Sequence, residues 1–271
     1  MPATCYVARA VTVTFLGTRG YIEVCTPRHF RHAALLVTHR RGRVMIDCGE
    51  DWLGRLGRIR PHAIVVTHAH PDHAGGLSRD VPCPVYATAA AWRGLARFDI
   101  PARVRRIVRA RAPIRIAGMV FEAFPVEHSL RAPAVGYRVT ADGIAIFYVP
   151  DVLSIPARRA ALRGIRLYVG DGASVVRPIL RRRGHALFGH TTVTTQIGWC
   201  RAEGVPRALF THCGTGIVAG NARETAERLE GLGRAQGVET AIAHDGLVLR
   251  LRVTAPGDRV ARPARGANQS R

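Results

Sequence analysis

Apolar residues recur at every second position, or in short β-branched runs, along most of the chain, and turn-forming Gly, Pro and Asp bound these segments. Alternation with period two marks half-buried strands, and short continuous apolar runs mark strands buried on both faces. The pattern predicts strands at Val11–Leu16, Ala33–Thr38, Val44–Asp47, Ile64–Thr67 and Val85–Ala87. Further strands are predicted at Met119–Pro125, Ala134–Val139, Ile144–Val149, Leu167–Gly170, Ala208–Thr211 and Leu247–Val253. Helical spacing appears at Ala89–Phe98, Pro156–Leu162, Thr192–Glu203 and Ala222–Gln236. Strands come first, helices are interspersed later, and no repeat or long linker interrupts them. One α/β domain of two packed sheets with outer helices, residues 1–254, accounts for this order. Residues 255–271, rich in Arg, Pro, Gly and Ala, read as a disordered basic tail.

Composition narrows the class. With 271 residues, 47% of them hydrophobic, the chain can bury a substantial core. No apolar run approaches the ~20 residues of a membrane helix, and Met1 to Ala10 shows no secretory signal pattern. The six cysteines are scattered without a C-x-x-C pair, which argues against a disulfide framework and for a reducing, cytoplasmic setting. The net charge is +21, and all 40 basic residues are Arg. A GC-rich coding bias explains Arg in place of Lys but not the shortage of acids. Such a field attracts phosphorylated or polyanionic partners. The Arg clusters at 103–111 and 181–183 are not interleaved with aromatics, so the sequence offers no base-stacking motif.

The densest chemistry lies in Ile64-Val65-Val66-Thr67-His68-Ala69-His70-Pro71-Asp72-His73, where four ligand-type residues fall within six positions behind an apolar strand. A strand ending in a tight loop can turn His68, His70, Asp72 and His73 into one pocket. Imidazole and carboxylate together suit zinc, with manganese or iron as alternatives. Four ligands from one loop cannot complete a two-metal site, so others must come from distant strand ends. His128, Asp151 and His212 each follow an apolar strand. Singly each is an ordinary polar residue; together with the loop they form a coherent ligand set. His190 precedes the helix predicted from Thr192 and could face the site or cap the helix. Asp171 could orient a His ligand or simply make a turn. His185, His244 and Cys213 read as structural.

These residues, with Phe15-Leu16-Gly17-Thr18 and Ile46-Asp47-Cys48-Gly49 before them, resemble the metallo-β-lactamase fold superfamily from about Val11 to Leu251. Val126-Glu127-His128-Ser129, Gly136-Tyr137-Arg138, Tyr148-Val149-Pro150-Asp151, Gly189-His190-Thr191 and Asp245-Gly246 are similar to its phosphodiesterase branch, ribonuclease Z and the phosphoribosyl cyclic phosphodiesterases. The resemblance implies a four-layer αβ/βα sandwich with two divalent metal ions at one edge. It implies one metal on His68, His70 and His128, the other on Asp72, His73 and His212, and Asp151 bridging them. It further implies attack on a phosphodiester by a hydroxide shared between the metals, with Asp72 orienting it or taking its proton, and His190 protonating the leaving group. The expected substrate is a cyclic phosphodiester, nucleotide or short nucleic acid. A lactone, thioester or other small-ester hydrolase using the same centre is the alternative. Two features depart from that branch: only 22 residues separate His128 from Asp151, too few for a long tRNA-gripping arm, and no Cys-rich zinc segment occupies residues 19–32.

Overall fold

Partly exposed side chains alternate with buried ones along residues 10–17 and much of 119–126, whereas 34–39, 144–148 and 167–171 are buried almost throughout, and these strands assemble into two seven-stranded sheets. A computed structural model describes residues 10–78 and 81–252. The first sheet contains β1 (Ala10–Gly17), β2 (Ala34–His39), β3 (Gly42–Ile46), β4 (Ala63–Val65), β5 (Val85–Thr88) and β6 (Arg105–Val108). The second contains β7 (Ile114–Ile116), β8 (Met119–Val126), β9 (Ala134–Ala141), β10 (Ile144–Tyr148), β11 (Leu167–Asp171), β14 (Arg207–Thr211) and β15 (Glu239–Ile242). Between β11 and β14 the chain makes a separate hairpin, β12 (Ile179–Arg183) with β13 (Ala186–His190). The last strand, β16 (Val248–Arg252), returns to the first sheet and pairs with β1.

In both sheets an antiparallel meander passes into a parallel half. Val13, Phe15, Val37 and Ile46 of the first sheet pack against Phe121, Tyr137, Ile146 and Val169 of the second, forming the central core. The outer face of the second sheet, through Phe147, Tyr168 and Phe210, is covered by α4 (Arg158–Leu162), α5 (Val193–Ala202) and, after the short α6 (Thr215–Val218), α7 (Ala222–Gln236). The outer face of the first buries Met45, Ile64 and Val85 under Trp52, Leu56 of α1 (Leu56–Ile59) and Leu95 of α3 (Ala89–Leu95). The order helix, sheet, sheet, helix is the expected four-layer αβ/βα sandwich. Parallel strands deliver their carboxyl ends to one edge, where loops gather and ligands bind in α/β folds.

All the strands and helices anticipated from periodicity are present, with ends moved by one to three residues; α7 matches at both ends. The strands β6, β7, β12, β13 and β15 went unanticipated. β12 is exposed at every position and β6 at three of four, so neither carries the apolar alternation that reveals a strand. One local expectation is corrected: the metal-ligand run is not loop throughout. Pro71 starts a helical turn, α2 (Pro71–Ala74), that contains Asp72 and His73, as suits the fixed φ of proline at a helix start. The predicted tail, and Val253 at the end of the last predicted strand, lie outside the described residues. Among the described residues no helix is long and apolar enough to cross a membrane.

Candidate metal centre

Each ligand-type residue named from the sequence arrives at the same edge. His68 and His70 follow β4, Asp72 and His73 sit in α2, His128 follows β8, Asp151 follows β10 and His212 follows β14. Three clusters result, each with ligand atoms within 4.8 Å of one another: His68, His70 and His128; Asp72, His73, Asp151 and His212; and Asp151, Asp171, His190 and His212. All are buried except His70 and His190, which are partly open.

Asp151 lies between the groups. Its Oδ2 is 2.6 Å from His73 Nε2 and 3.5 Å from His68 Nε2, while its Oδ1 is 3.2 Å from His212 Nδ1. Asp72 Oδ2 lies 3.0 Å from His73 Nε2 and 3.2 Å from His212 Nε2. His70 Nδ1 is 2.9 Å from His68 Nε2 and 3.5 Å from His128 Nε2.

These residues fit divalent cations. His73 Nε2, His212 Nδ1 and both oxygens of Asp151 are buried without a hydrogen-bonding partner of good geometry. Leaving four such groups unmade costs about 1–3 kcal/mol each, and a shared cation would satisfy them together. Three imidazole nitrogens converging on one point cannot all donate to one another, yet all three lone pairs can reach one metal. Burial pushes His68 well below the usual imidazole range, His70 to about 4 and His128 downward, so these rings are neutral, the form that binds metal. Burial opposes charge on Asp72 and Asp151, but the neighbouring His73 and His212 outweigh it and hold both carboxyls well below the usual carboxylate range. Burial likewise opposes charge on His73, but Asp72, Asp151 and Asp47 outweigh it and hold the ring well above its ordinary value. The pocket thus demands a positive charge among its carboxylates, which a metal would supply in place of that proton.

A second layer orients these rings. Thr67 Oγ1 donates to the fully buried Asp47, so His68 Nδ1–H donates to Thr67 Oγ1 at 3.0 Å and its Nε2 is left bare. His73 Nδ1–H donates to Asp47 Oδ2 at 2.9 Å, again leaving Nε2 for the centre. His128 Nδ1–H donates to Gly189 O at 3.2 Å. One carboxylate therefore sets two tautomers, as is usual around metal-bound His. The sequence motif by itself assigns Asp47 no role in the site. It is an acid directly after a buried strand, the rule that picked out Asp151, and that signal would have found it.

Asp171, at the end of β11, accepts from Val152 N at 3.0 Å and holds His190 Nδ1 at 2.7 Å. His190 is the last residue of β13, two positions before the Thr192 cap of α5, so it faces the site rather than capping that helix. Burial opposes its charge, but Asp171 and then Asp151 outweigh this and raise it to about 9. His185 is exposed in the turn between β12 and β13, His244 Nδ1 bonds Asp245 O, and Cys213 is buried with its thiol pushed up by burial. A cleft of about 650 Å³ opens over the cluster.

A sandwich whose strand ends converge His and Asp in this way defines a metallohydrolase of the β-lactamase kind. The beta-lactamase superfamily domain matches residues 42–213, and the chain belongs to that family as a metal-dependent hydrolase. It is similar to the ribonuclease Z of Mycolicibacterium paratuberculosis, 24% identical over 81% of this chain and 95% of the relative. The metallo-beta-lactamase fold protein YhfI from Bacillus subtilis shares the fold with a TM-score of 0.69 at 15% identity, over 89% of this chain and 99% of its own. A diphosphatase from the PhnP family gives 0.65 at 22% identity, over 89% of this chain and 97% of its own.

Proposed function

We propose that this protein is a dinuclear metal phosphodiesterase acting on a cyclic phosphodiester, nucleotide or short nucleic acid. The observation that carries the reading is Asp151, which turns one oxygen towards His68 and His73 and the other towards His212. A carboxylate so placed suits two cations, one on His68, His70 and His128 and one on Asp72, His73 and His212, with zinc favoured and manganese or iron accommodated. Such a pair supplies Lewis acidity at the phosphoryl oxygens and lowers the pKa of the attacking water. Asp72 orients that water or accepts its proton. His190, held by Asp171 through Nδ1, keeps Nε2 free on a ring that lines the cleft, placed to donate a proton to the leaving alkoxide. Arg131, Arg181 and Arg183 line the same cleft and favour a phosphate over a neutral acyl group. The curated relatives named ribonuclease Z support the same class. The free cysteines suit a reducing cytoplasm.

The test is hydrolysis of bis-p-nitrophenyl phosphate by protein stripped of metal and refilled with zinc or manganese. Turnover should appear with metal and fall by more than about 100-fold in Asp151→Ala, together with its metal content. A protein that binds two metals per chain yet leaves the diester intact would refute the proposal and direct attention to lactones and thioesters.

A further inference from the structure

The hairpin β12–β13 is a two-stranded sheet by itself, closed by a two-residue turn in which Gly184 takes a φ of 58°. Residues directly opposite in an antiparallel pair share a face. Ile179 with His190, Arg181 with Phe188, and Arg183 with Ala186 therefore lie on one face, and Arg182 with Leu187 on the other. Ile179, Arg181, Arg183, Phe188 and His190 all line the cleft, whereas Arg182 and Leu187 do not. One strand face thus runs from the metal-site edge at His190 outward to Arg183. Its base is fixed to the centre: Gly189 N donates to His128 O at 2.7 Å, and His190 is tied to Asp171.

Arg181 and Arg183 form no ion pair with a described carboxylate. Two residues apart on one strand face, their Cα atoms stand about 7 Å from each other, a spacing from which two long guanidinium side chains can converge on one phosphate. The carboxylates lining the cleft, Asp72 and Asp151, belong to the metal cluster, so the outer wall is cationic without counter-charge. Phe188, directly across from Arg181, and Tyr21 add aromatic surface to the same cleft. Unpaired guanidinium groups beside aromatic rings suit an anion attached to a sugar and a base.

On the phosphodiesterase reading above, we propose that Arg181 and Arg183 bind a second phosphate of a linear nucleotide substrate, one link from the scissile one. The enzyme then prefers diesters carrying two phosphates to diesters carrying one.

Two chromogenic esters separate these cases: thymidine 5′-(p-nitrophenyl phosphate) and the same compound bearing a 3′-phosphate. For the metal-loaded enzyme kcat/KM should favour the 3′-phosphorylated ester by about tenfold or more. That ratio should approach one in Arg181→Ala/Arg183→Ala and persist in Arg182→Ala, whose side chain lies on the other face. Equal rates for both esters in the unmodified enzyme, or a ratio that survives in the double variant, would overturn the proposal. Calorimetry with thymidine 3′,5′-bisphosphate and thymidine 5′-monophosphate supplies a readout independent of turnover. Arginine-dependent preference for the bisphosphate without hydrolysis of either ester would keep the second-phosphate site and refute the phosphodiesterase reading. Hydrolysis with no binding preference would do the reverse.

Discussion

Thr18, His29 and Asp245 form a largely buried polar knot outside the proposed ligand set. Thr18 Oγ1 donates to Asp245 Oδ1 at 2.7 Å, so His29 Nδ1–H donates to Thr18 at 2.8 Å, and the other oxygen of Asp245 accepts from Phe30 N and Arg31 N. The knot pins the segment after β1 against the turn before β16. Burial, then Arg28 and His244, lower His29 to about 4 from an ordinary 6.5. The unfolded chain therefore takes up the proton first, and folding loses stability as pH falls from 6.5 towards 4, with the full contribution present above 6.5. The denaturation temperature of the native protein should drop across that window, and less steeply in His29→Gln. Identical slopes for the two proteins would show that His29 does not titrate differently on folding. At this scale much was legible: His68, His70, Asp72 and His73 were proposed from one loop, His128, Asp151 and His212 from strand ends, and His190 from its place before a predicted helix and the family resemblance. The role of Asp47 was missed because its value lies in the tautomers it sets on His68 and His73, contacts that sequence proximity does not show.

The hairpin β12–β13 is the element that sequence patterning hid. Both its faces meet water or an open cleft, so Ile179-Leu180-Arg181-Arg182-Arg183 carries a run of charge where a buried strand would alternate. Pairing also sets Phe188 opposite Arg181, a neighbourhood that their separation along the chain does not show. Gly189 is the hinge of this element. Its φ of 128° is a backbone region that suits glycine, and a Cβ there would sit 1.9 Å from Ile179 O. Gly189→Ala should therefore displace His190 and the hairpin strands from the centre. We expect kcat to fall on the order of 100-fold, with a much smaller change in the denaturation temperature because the hairpin lies outside the main core. Wild-type kcat in this variant would show that the hairpin does not position His190.

Across the whole molecule the centre joins the two halves. His68, His70, Asp72 and His73 come from the first sheet and its loop; His128, Asp151 and His212 come from the second. Metals shared between these sets would clamp one sheet to the other, and any ligand that binds the folded chain alone stabilises it by mass action. A metal at about a thousand times its Kd contributes about 4 kcal/mol, so chelation should lower the denaturation temperature by more than about 5 °C. Zinc or manganese should restore it, and Asp151→Ala should respond weakly to either treatment. A melting temperature indifferent to chelator and metal would remove the clamp from this picture.

The sequence alone determined the layered α/β architecture and which His and Asp residues to propose as ligands. Both depend on local signals: alternation encodes which strand face is buried, and a polar residue directly after a buried strand must emerge at the sheet edge. Only the tertiary structure decided which of the candidate residues meet at Asp151, that Asp47 and Asp171 hold the rings in place, and that an arginine-bearing hairpin walls the cleft. Those contacts join residues 19 to 83 positions apart, and sheet order, which no local period records, is what brings them together.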